Sequence, residues 1–328
     1  MGPAVSVVVP THNRRRLLER LLDALGRQVG ITGFQVVVVD DCSTDGTWEA
    51  LGQRPPAESF ELVATRTASN RGPAAARNRG WRLADGSLIA FVDDDCVPEP
   101  GWLAALVRSL ERADIAQGRT MPIPEQAAGR GPFARLLWID RDRGLYETCN
   151  IGYRRAWLEK LDGFDESFGT VAGAPVWGED TDLAWRAKEA GAGTAFVPDA
   201  VVHCEVYRSD YRAQLREMPR RVGLVRDVAR HPGLRRQYPL GLFLSPAHPL
   251  AVAAAAGAGT ALSGPRSSRR LVLGLGLALP WLWYRLTVRP WPCRRRNLVP
   301  VLALGLVSDL SETAVLAAAS VRYRTVFL

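Results

Sequence analysis

Three consecutive aspartates, Asp93, Asp94 and Asp95, follow the apolar run at 88–92. A short apolar run bounded by polar residues predicts a buried strand, which would deliver the carboxylates to its C-terminal end. Unpaired buried carboxylates are costly, so core packing does not explain three of them. Hard oxygen ligands suit a divalent cation, and that cation can neutralise a diphosphate. The alternative is an acidic strand-to-turn junction that caps the next helix.

The elements that must position these acids alternate between strand and helix. Leucines at helical spacing in 17–25 predict a first helix, and the stretch 70–80 is expected to enter an alanine-rich helix. Strands are expected at 5–9, 34–39, 61–64 and 88–92. Such an alternation predicts an open α/β sheet whose site lies outside the carboxyl ends of the strands.

Two other nucleotide-binding patterns are missing. The first predicted strand is followed by Pro10-Thr11-His12-Asn13 and not by a G-x-G-x-x-G turn. The chain also has no G-x-x-x-x-G-K-[ST] loop. A dinucleotide-dependent oxidoreductase and a P-loop nucleotidase are therefore disfavoured.

Six strings in chain order resemble the family 2 glycosyltransferases over about the first 205 residues. They are VSVVVPTHNR at 5–14, VVVVDDCSTDGT at 36–47, NRGPAAARNRG at 70–80, FVDDDCVP at 91–98, CNIGYRRAWLEKLDGFDESFG at 149–169 and WGEDTDLAWRAKEAG at 177–191. The resemblance implies a GT-A fold, which is a mixed sheet flanked by helices. It also implies a nucleotide-sugar donor and an inverting, metal-assisted transfer of a sugar.

The resemblance identifies Asp93 and Asp95 as a D-x-D pair and implies Mn²⁺ or Mg²⁺ as cofactor. Because successive strand residues face opposite ways, Asp93 and Asp95 are expected to share a side and Asp94 to point elsewhere. Asp95 is then the predicted metal ligand. Asp93 and Asp94 are predicted on the nucleotide side, where Asp93 would reach ribose or the metal through water; the alternative for Asp94 is a bond within the sheet edge. His203 matches a family histidine that contacts metal or phosphate, and imidazole suits manganese. A purely structural histidine is the alternative.

Asp180 matches the catalytic base of the family. An inverting transfer needs a carboxylate within hydrogen-bond reach of the acceptor hydroxyl, from which it takes the proton. The alternative is that Glu179, Asp180 and Asp182 only cap the following helix, and Asp182 is the predicted cap.

The resemblance places the nucleotide against Pro10, Thr11, Asn13 and Asp41. Asp41 would accept a hydrogen bond from a ring N–H, which uracil and thymine offer, so UDP or dTDP is the favoured carrier. Arg77 matches a basic position that can reach base or phosphate, although helix-surface arginines are commonly only solvated.

The sugar and acceptor pocket is expected around Asn150, Trp177 and Glu179. Asn150 lies in the string CNIGYRR, where the family shapes this pocket, and its amide can bind a sugar hydroxyl. Trp177 can stack on an acceptor ring, or it can belong to the core.

Composition sets outer limits. Hydrophobic residues make up 47% and charged residues 23% of 328 residues, as in folded proteins, and the net charge is +8. This basic balance fits phosphate-bearing donors and an anionic membrane surface, whereas no nucleic-acid-binding motif is present. The five cysteines show no paired spacing, which favours a reduced cytosolic setting. No secretory signal is expected, because the first strand begins almost at once.

The composition changes after about residue 235, so a glycosyltransferase domain is expected at 1–235 and a C-terminal helical region at 236–328. Residues 240–264 are long enough to span a bilayer, 271–284 are short, and 298–321 are interrupted by Asp309 and Glu312. Arginines lie in every gap between these apolar segments. The positive-inside rule would place all the gaps on the cytoplasmic side, which simple alternating spans cannot satisfy. Re-entrant or interfacial helices on the cytoplasmic face of the cell membrane fit better, with Trp281, Trp283, Tyr284 and Trp291 at headgroup level. A buried helical domain of a soluble oligomer is the alternative.

The sequence therefore predicts an inverting, metal-dependent hexosyltransferase that acts in glycan, glycolipid or natural-product biosynthesis. The acceptor, lipid-linked, glycan or small molecule, is left open. The other hypotheses are an inactive nucleotide-sugar-binding or membrane scaffold protein, and a membrane-anchoring partner whose main work is done by the tail.

Overall fold

The computed structural model describes residues 3–128, 131–171, 174–263, 267–288 and 297–328. The chain divides into two compact units. The first comprises Met1–Ala128 and Leu136–Val206, and the second comprises Gly129–Arg135 and Tyr207–Leu328. The functional boundary expected near residue 235 stays a prediction.

The first unit is built on a mixed eight-stranded sheet, which confirms the predicted α/β class. Its strands are β1 (Val5–Thr11), β2 (Phe34–Asp40), β3 (Phe60–Arg66), β4 (Leu88–Val92), β5 (Cys96–Pro98), β6 (Ile115–Pro122) and β7 (Asn150–Arg154); β8 (Thr170–Val171) and β9 (Ala174–Pro175) form a separate pair, and β10 (Thr194–Cys204) returns to the main sheet. The order is β3-β2-β1-β4-β7-β6-β10-β5. β1 is parallel to β2 and β4, whereas β7 is antiparallel to β4 and β6, and β5 is antiparallel to β10.

Helices connect the strands as the alternating pattern predicts. They are α1 (Arg15–Gly26), α2 (Thr47–Gln53), α3 (Pro73–Leu83), α4 (Trp102–Leu110), α5 (Pro124–Ala128), α6 (Arg155–Leu161) and α7 (Glu179–Glu189). The leucines of α1 at positions 18, 21, 22 and 25 are buried with the valines of β1 and β2 in one core. Burial of this apolar face, at about 25 cal/mol per Å², stabilises the helix against the sheet.

Close contact between α3 and β1 depends on Gly80. A Cβ atom at this position would lie 2.4 Å from Val8 Cγ1. No side chain fits there, so the helix lies directly on the strand. This contact fixes the position of α3 along β1, and with it the position of Arg77, which lies one turn earlier on the helix.

The second unit is helical over its described residues. Its helices are α8 (Tyr211–Glu217), α9 (Val222–Arg230), α10 (Ala247–Leu262), α11 (Ser268–Trp283) and α12 (Leu298–Arg322). Two segments are long and apolar enough to cross a membrane, Ser268–Val288 and Leu298–Arg322.

The lengths of these helices differ from the expectation. The segment 240–264, long enough in sequence to span a bilayer, forms a helix only from Ala247, because Pro239–Gly241 is a short turn with Leu240 at φ 54°. The segment expected to be short extends through Pro280 and continues as helical turns to Val288. Among the described aromatic anchors, Trp281 and Tyr284 are buried and Trp283 is exposed. Trp291, Cys293 and the arginines at 266, 289 and 294–296 lie outside the described residues.

Small residues and a polar cluster shape the helical unit. Backbones of α10 and α11 touch at Gly257 and Gly274, where an added Cβ would lie 2.6–2.7 Å from the opposite carbonyl oxygen. Asp309 accepts hydrogen bonds from Trp281 and Arg285, and Glu312 pairs with Arg221 and His248. Partners of this kind offset the cost of burying charge, which explains how two acids interrupt the apolar α12.

Candidate active site

The triple acid lies in a turn and not in a strand. β4 ends at Val92, and the Cys96 N–H donates to the Asp93 carbonyl over 3.1 Å. The alternation assumed for a strand therefore stops before Asp93. Asp94 and Asp95 both accept from Arg14, while Asp93 pairs with Arg77. The expectation that Asp93 and Asp95 share a side is wrong because the chain turns at these residues.

Asp94 joins the turn after β4 to the loop after β1. It is buried and accepts hydrogen bonds from Thr11 Oγ1 at 2.7 Å and from Arg14 Nη1 at 2.8 Å. Burial raises the pKa of Asp94 to about 6, with a further rise from Asp95 that Arg14 opposes. The Asp94 side chain therefore links these two segments through hydrogen bonds, and its contact with a nucleotide stays a prediction.

Asp95 is the partly exposed member of the triple acid, and its Oδ2 atom lies 3.0 Å from Arg14 Nη1. A guanidinium between Asp94 and Asp95 shows that this position favours a cation. Mg²⁺ and related ions are commonly held by one or two carboxylates, with substrate phosphates and water completing the shell. The carboxylate of Asp95 is of the type that such an ion prefers, and metal binding at Asp95 stays a prediction.

His203 lies near this turn but is oriented toward another partner. Its Nε2 atom is 2.9 Å from Glu99 Oε1. Within the described residues, the sulfurs of Cys96 and Cys204 lie within 4.8 Å of an Asp95 carboxylate oxygen, but they are bonded to each other and offer no thiolate to a metal. Metal binding by His203 stays a prediction, and it requires the imidazole to leave Glu99.

Cys96 and Cys204 form a disulfide bond, which corrects the expectation of unpaired cysteines. The pairing was invisible in the sequence because 108 residues separate the two positions. It arises because β5 runs antiparallel to β10 and sets Cys204 directly opposite Cys96. Cys42 and Cys149 are free thiols. The argument for a reducing compartment from cysteine usage therefore loses its basis.

Arg77 is buried at the centre of the site. Its Nη2 atom donates to Asp93 Oδ1 at 2.8 Å, and its Nη1 atom donates to Glu179 Oε1 at 3.0 Å. Burial by itself would lower the pKa of Arg77, but Asp93, Glu179 and Asp180 together raise it well above its ordinary value. The guanidinium is a permanent charge between three carboxylates. Its contact with base or phosphate stays a prediction.

Asp180 lies in the first turn of α7 and is partly buried. It accepts from the Thr181 N–H at 2.8 Å and more weakly from the Thr148 N–H at 3.4 Å. Burial raises the pKa of Asp180 well above its ordinary value, Glu179 and Glu147 raise it further, and Arg77 opposes them. A carboxylate with a raised pKa is a stronger base once it is deprotonated.

Asp182 does not cap α7 as expected. It lies inside the helix, fully buried, with its Oδ2 atom 2.8 Å from Arg186 Nε. The capping position is Gly178, at φ 125° and without a side-chain bond. A backbone φ of this value is adopted most readily by glycine. Glycine at this entry lets Glu179 and Asp180 follow at once in the first turn.

The nucleotide end is a set of loops held together by polar side chains. Asp41 accepts from Thr67 Oγ1 at 2.7 Å and from the backbone N–H groups of Arg71 and Gly72. Asn13, at φ 53°, accepts from the Thr44 N–H at 2.7 Å. Asp41 therefore organises the loop that enters α3, and its predicted contact with a base is untested.

Pro10 and Thr11 end β1 at this same edge, Pro10 partly exposed and Thr11 buried against Asp94. The predicted contact between this backbone and the nucleotide base is likewise untested.

The predicted pocket residues differ in exposure. Asn150 is fully buried, donates to the carbonyls of Arg119 and Ala200, and accepts from Trp102 Nε1 at 2.8 Å. These bonds tie β7 to β6, β10 and α4, and they account for a buried asparagine without a sugar. Its sugar contact stays a prediction. Trp177 is half-buried before α7, and Glu179 is held by Arg77.

Sequence reasoning missed Arg14 and Glu147. Arg14 ends the first matched string, but the run Arg14-Arg15-Arg16 gives no sign of which side chain turns inward. Glu147 lies in a stretch without periodicity and pairs with Gln117 and Arg143.

The comparison with protein families matches residues 6–162 to "Glycosyl transferase family 2". The chain is 31% identical over 242 residues to the Pre-mycofactocin glycosyltransferase of Mycobacterium tuberculosis, an alignment that covers 66% of this chain and 45% of that protein. It is 28% identical over 209 residues to the glycosyltransferase AglE of Haloferax volcanii, covering 61% of this chain and 66% of that protein. The chain thus spans about half to two thirds of the length of these relatives.

Solved structures show the same fold. The mannosyltransferase PcManGT from Pyrobaculum calidifontis, in complex with GDP-Man and Mn²⁺, superposes with a TM-score of 0.67 at 24% identity, covering 94% of this chain and 86% of that one. TarS 1–349 of S. aureus in complex with UDP-GlcNAc gives a TM-score of 0.52 at 19% identity, covering 99% and 93%. These likenesses confirm the predicted GT-A type of fold.

Proposed function

The chain belongs to glycosyl transferase family 2 through residues 6–162, and from that premise we propose that it transfers a hexosyl group from a nucleotide-diphosphate sugar to an acceptor hydroxyl with inversion. The observation that supports this best is the meeting of two acidic segments on one guanidinium. Asp93 from the turn after β4 and Glu179 from the first turn of α7 both bind Arg77. Donor-side acids and the candidate base Asp180 therefore belong to one site.

The reaction needs a base, a leaving group and a fixed geometry between them. Asp180 takes the proton from the acceptor hydroxyl while its oxygen attacks the anomeric carbon. The bond between that carbon and the phosphate oxygen breaks, and the nucleoside diphosphate leaves with the electron pair. Asp95, with His203 as the second predicted ligand, would hold Mn²⁺ or Mg²⁺, and the bound ion would supply positive charge to the diphosphate.

The donor is proposed to be a UDP or dTDP sugar, with Asp41 accepting from the ring N–H of the base. The solved relatives carry GDP-Man in PcManGT and UDP-GlcNAc in TarS, so guanosine diphosphate is the main competitor. Asp41 already accepts from two backbone N–H groups and one hydroxyl. Binding of a base there would add to a site that the loop has organised in advance.

The C-terminal unit is proposed to attach the enzyme to the cytoplasmic face of a membrane. Its apolar helices Ser268–Val288 and Leu298–Arg322 support this attachment. A lipid-linked acceptor would then meet the site at the membrane, while a glycan or small molecule would meet it from solution.

A binding screen followed by turnover tests the proposal. Nucleoside diphosphates that bind the native state raise its melting temperature by mass action. We expect UDP or dTDP to do so more strongly with Mn²⁺ than without it, and the matching sugar donor to be hydrolysed slowly or transferred. Specific nucleotide binding without any turnover would favour the inactive binding protein. If no nucleoside diphosphate binds, both the transferase and the inactive binding protein are contradicted.

A further inference from the structure

Arg77 is not a solvated residue on the surface of its helix. Its side chain is buried, whereas Arg79, two residues later on α3, is exposed and donates to the Thr65 hydroxyl. Burying a guanidinium is costly unless carboxylates pair with it. Here two carboxylates do so, and they come from segments 86 residues apart in the chain, at Asp93 and Glu179.

We propose that Arg77 is a positioning residue that holds the turn after β4 and the first turn of α7 in a fixed relation, an inference that rests on the proposed transfer reaction. The planar guanidinium offers donors in a rigid fork, so one side chain can bind both carboxylates with a defined angle between them. Asp93 belongs to the donor-binding turn. Glu179 directly precedes Asp180. The distance between the diphosphate and the base is thereby set by a single residue.

The same geometry affects how Asp180 titrates. The charged or titratable groups that face Asp180 are Glu179 on α7, Glu147 before β7, Arg77 on α3 and Tyr153 on β7. Glu179 and Glu147 disfavour the carboxylate of Asp180, and Arg77 favours it. Two neighbours that contact each other therefore act on Asp180 in opposite directions, which a merely structural ion pair elsewhere would not do.

The test measures kcat and the pH dependence of kcat/KM in three variants. Arg77→Gln removes the positive charge, so the acid limb should move to higher pH, and kcat should fall at least about tenfold from lost positioning. Glu179→Gln removes a negative charge, so the acid limb should move to lower pH. Arg77→Lys keeps the charge but loses the fork, so its acid limb should move less than that of Arg77→Gln while kcat still falls. Arg79→Gln, on the same helix, should change neither quantity.

A second readout keeps this inference separate from the transfer reaction. Carboxyl ¹³C resonances of labelled aspartate, with that of Asp180 identified by its loss in Asp180→Asn, report titration without turnover. The same opposite displacements are expected there. Unmoved titration of Asp180 in both Arg77→Gln and Glu179→Gln would overturn the proposal even if the enzyme is active. If Arg77→Gln does not fold, Glu179→Gln and Arg77→Lys still decide. Full turnover in Asp180→Asn would instead refute Asp180 as the base. The role of Arg77 in positioning would then be decided by the NMR titration of Asp180 in the Arg77 and Glu179 variants.

Discussion

Cys96 and Cys204 are joined by a disulfide bond between β5 and β10. Each cysteine directly follows a predicted metal ligand, Asp95 in the turn before β5 and His203 in β10. Both sulfurs are buried in the core of the first unit. The bond therefore ties together the two segments on which cation binding is proposed to depend.

Loss of this disulfide should lower the stability of the protein. Cys204→Ala should reduce the free energy of unfolding by about 2–5 kcal/mol, because the cross-link restricts the unfolded chain. Urea denaturation measures this, and a reductant should destabilise the wild type but not the variant. Cys42→Ala, at a free thiol, serves as control. Equal numbers of reactive thiols in denatured protein before and after reduction would contradict the bond.

Replacement of the proposed base should separate binding from turnover. Asp180→Asn keeps the shape of the side chain but cannot take a proton, so kcat should fall by about a hundredfold or more. Nucleotide affinity should remain, since Asp180 is proposed to act on the acceptor and not on the donor. Glu189→Gln, at the exposed end of α7, should leave both quantities unchanged. Near-normal turnover in Asp180→Asn would shift the role to another acid.

The pH dependence of the reaction should reflect the raised pKa of Asp180. The base acts as carboxylate, so kcat/KM should fall as the pH drops through that pKa. Because burial, Glu179 and Glu147 raise it, the acid limb should lie above the ordinary range of aspartate. Residual activity of Asp180→Asn should lack this limb. An acid limb at the ordinary value in the wild type would speak against the burial effect.

Asp94 and Asp95 should fail in different ways although both bind Arg14. Asp95→Ala should abolish transfer and remove the Mn²⁺ dependence of nucleotide binding, measured by calorimetry with and without the ion. Asp94→Ala removes a buried acceptor for Thr11 and Arg14, at a cost of about 1–3 kcal/mol. Its main effect should therefore be a lower melting temperature. Retained Mn²⁺ dependence in Asp95→Ala would exclude it as the ligand.

The helical unit should bind anionic vesicles through its exposed apolar face. Val272, Leu275 and Leu279 on α11 are all more than half exposed. The double substitution Val272→Glu and Leu279→Glu should lower the vesicle partition constant by about a hundredfold or more, at about 1.5–3 kcal/mol per side chain buried. High salt should weaken only the arginine contribution. Leu83→Glu, an exposed apolar position on α3, is the matched control.

Vesicle binding that survives the double substitution would place the contact elsewhere. A full-length monomer that stays in solution without detergent or vesicles would contradict membrane attachment. A soluble oligomer would identify the apolar face as a subunit interface.

The sequence by itself determined the alternation of strands and helices and the edge of the sheet at which the acids gather. The apolar runs predicted as strands at 5–9, 34–39 and 88–92 lie in β1, β2 and β4, although β1 continues through Pro10 to Thr11 and β2 continues to Asp40. Periodicity and residue type are local properties, so they can be read without the fold. Matched strings in chain order added the family and the choice of Asp180 among three neighbouring acids.

Only the tertiary structure decided which of these groups meet. Arg14 reaches Asp94 across 80 residues, and Cys96 reaches Cys204 across 108. Such pairs depend on sheet order and on the β5–β10 register, which no local pattern records. The turn at Asp93 also broke the strand alternation on which the facing of the triple acid was predicted. Local patterns specify where a side chain starts, while packing and electrostatics of distant segments determine where it points.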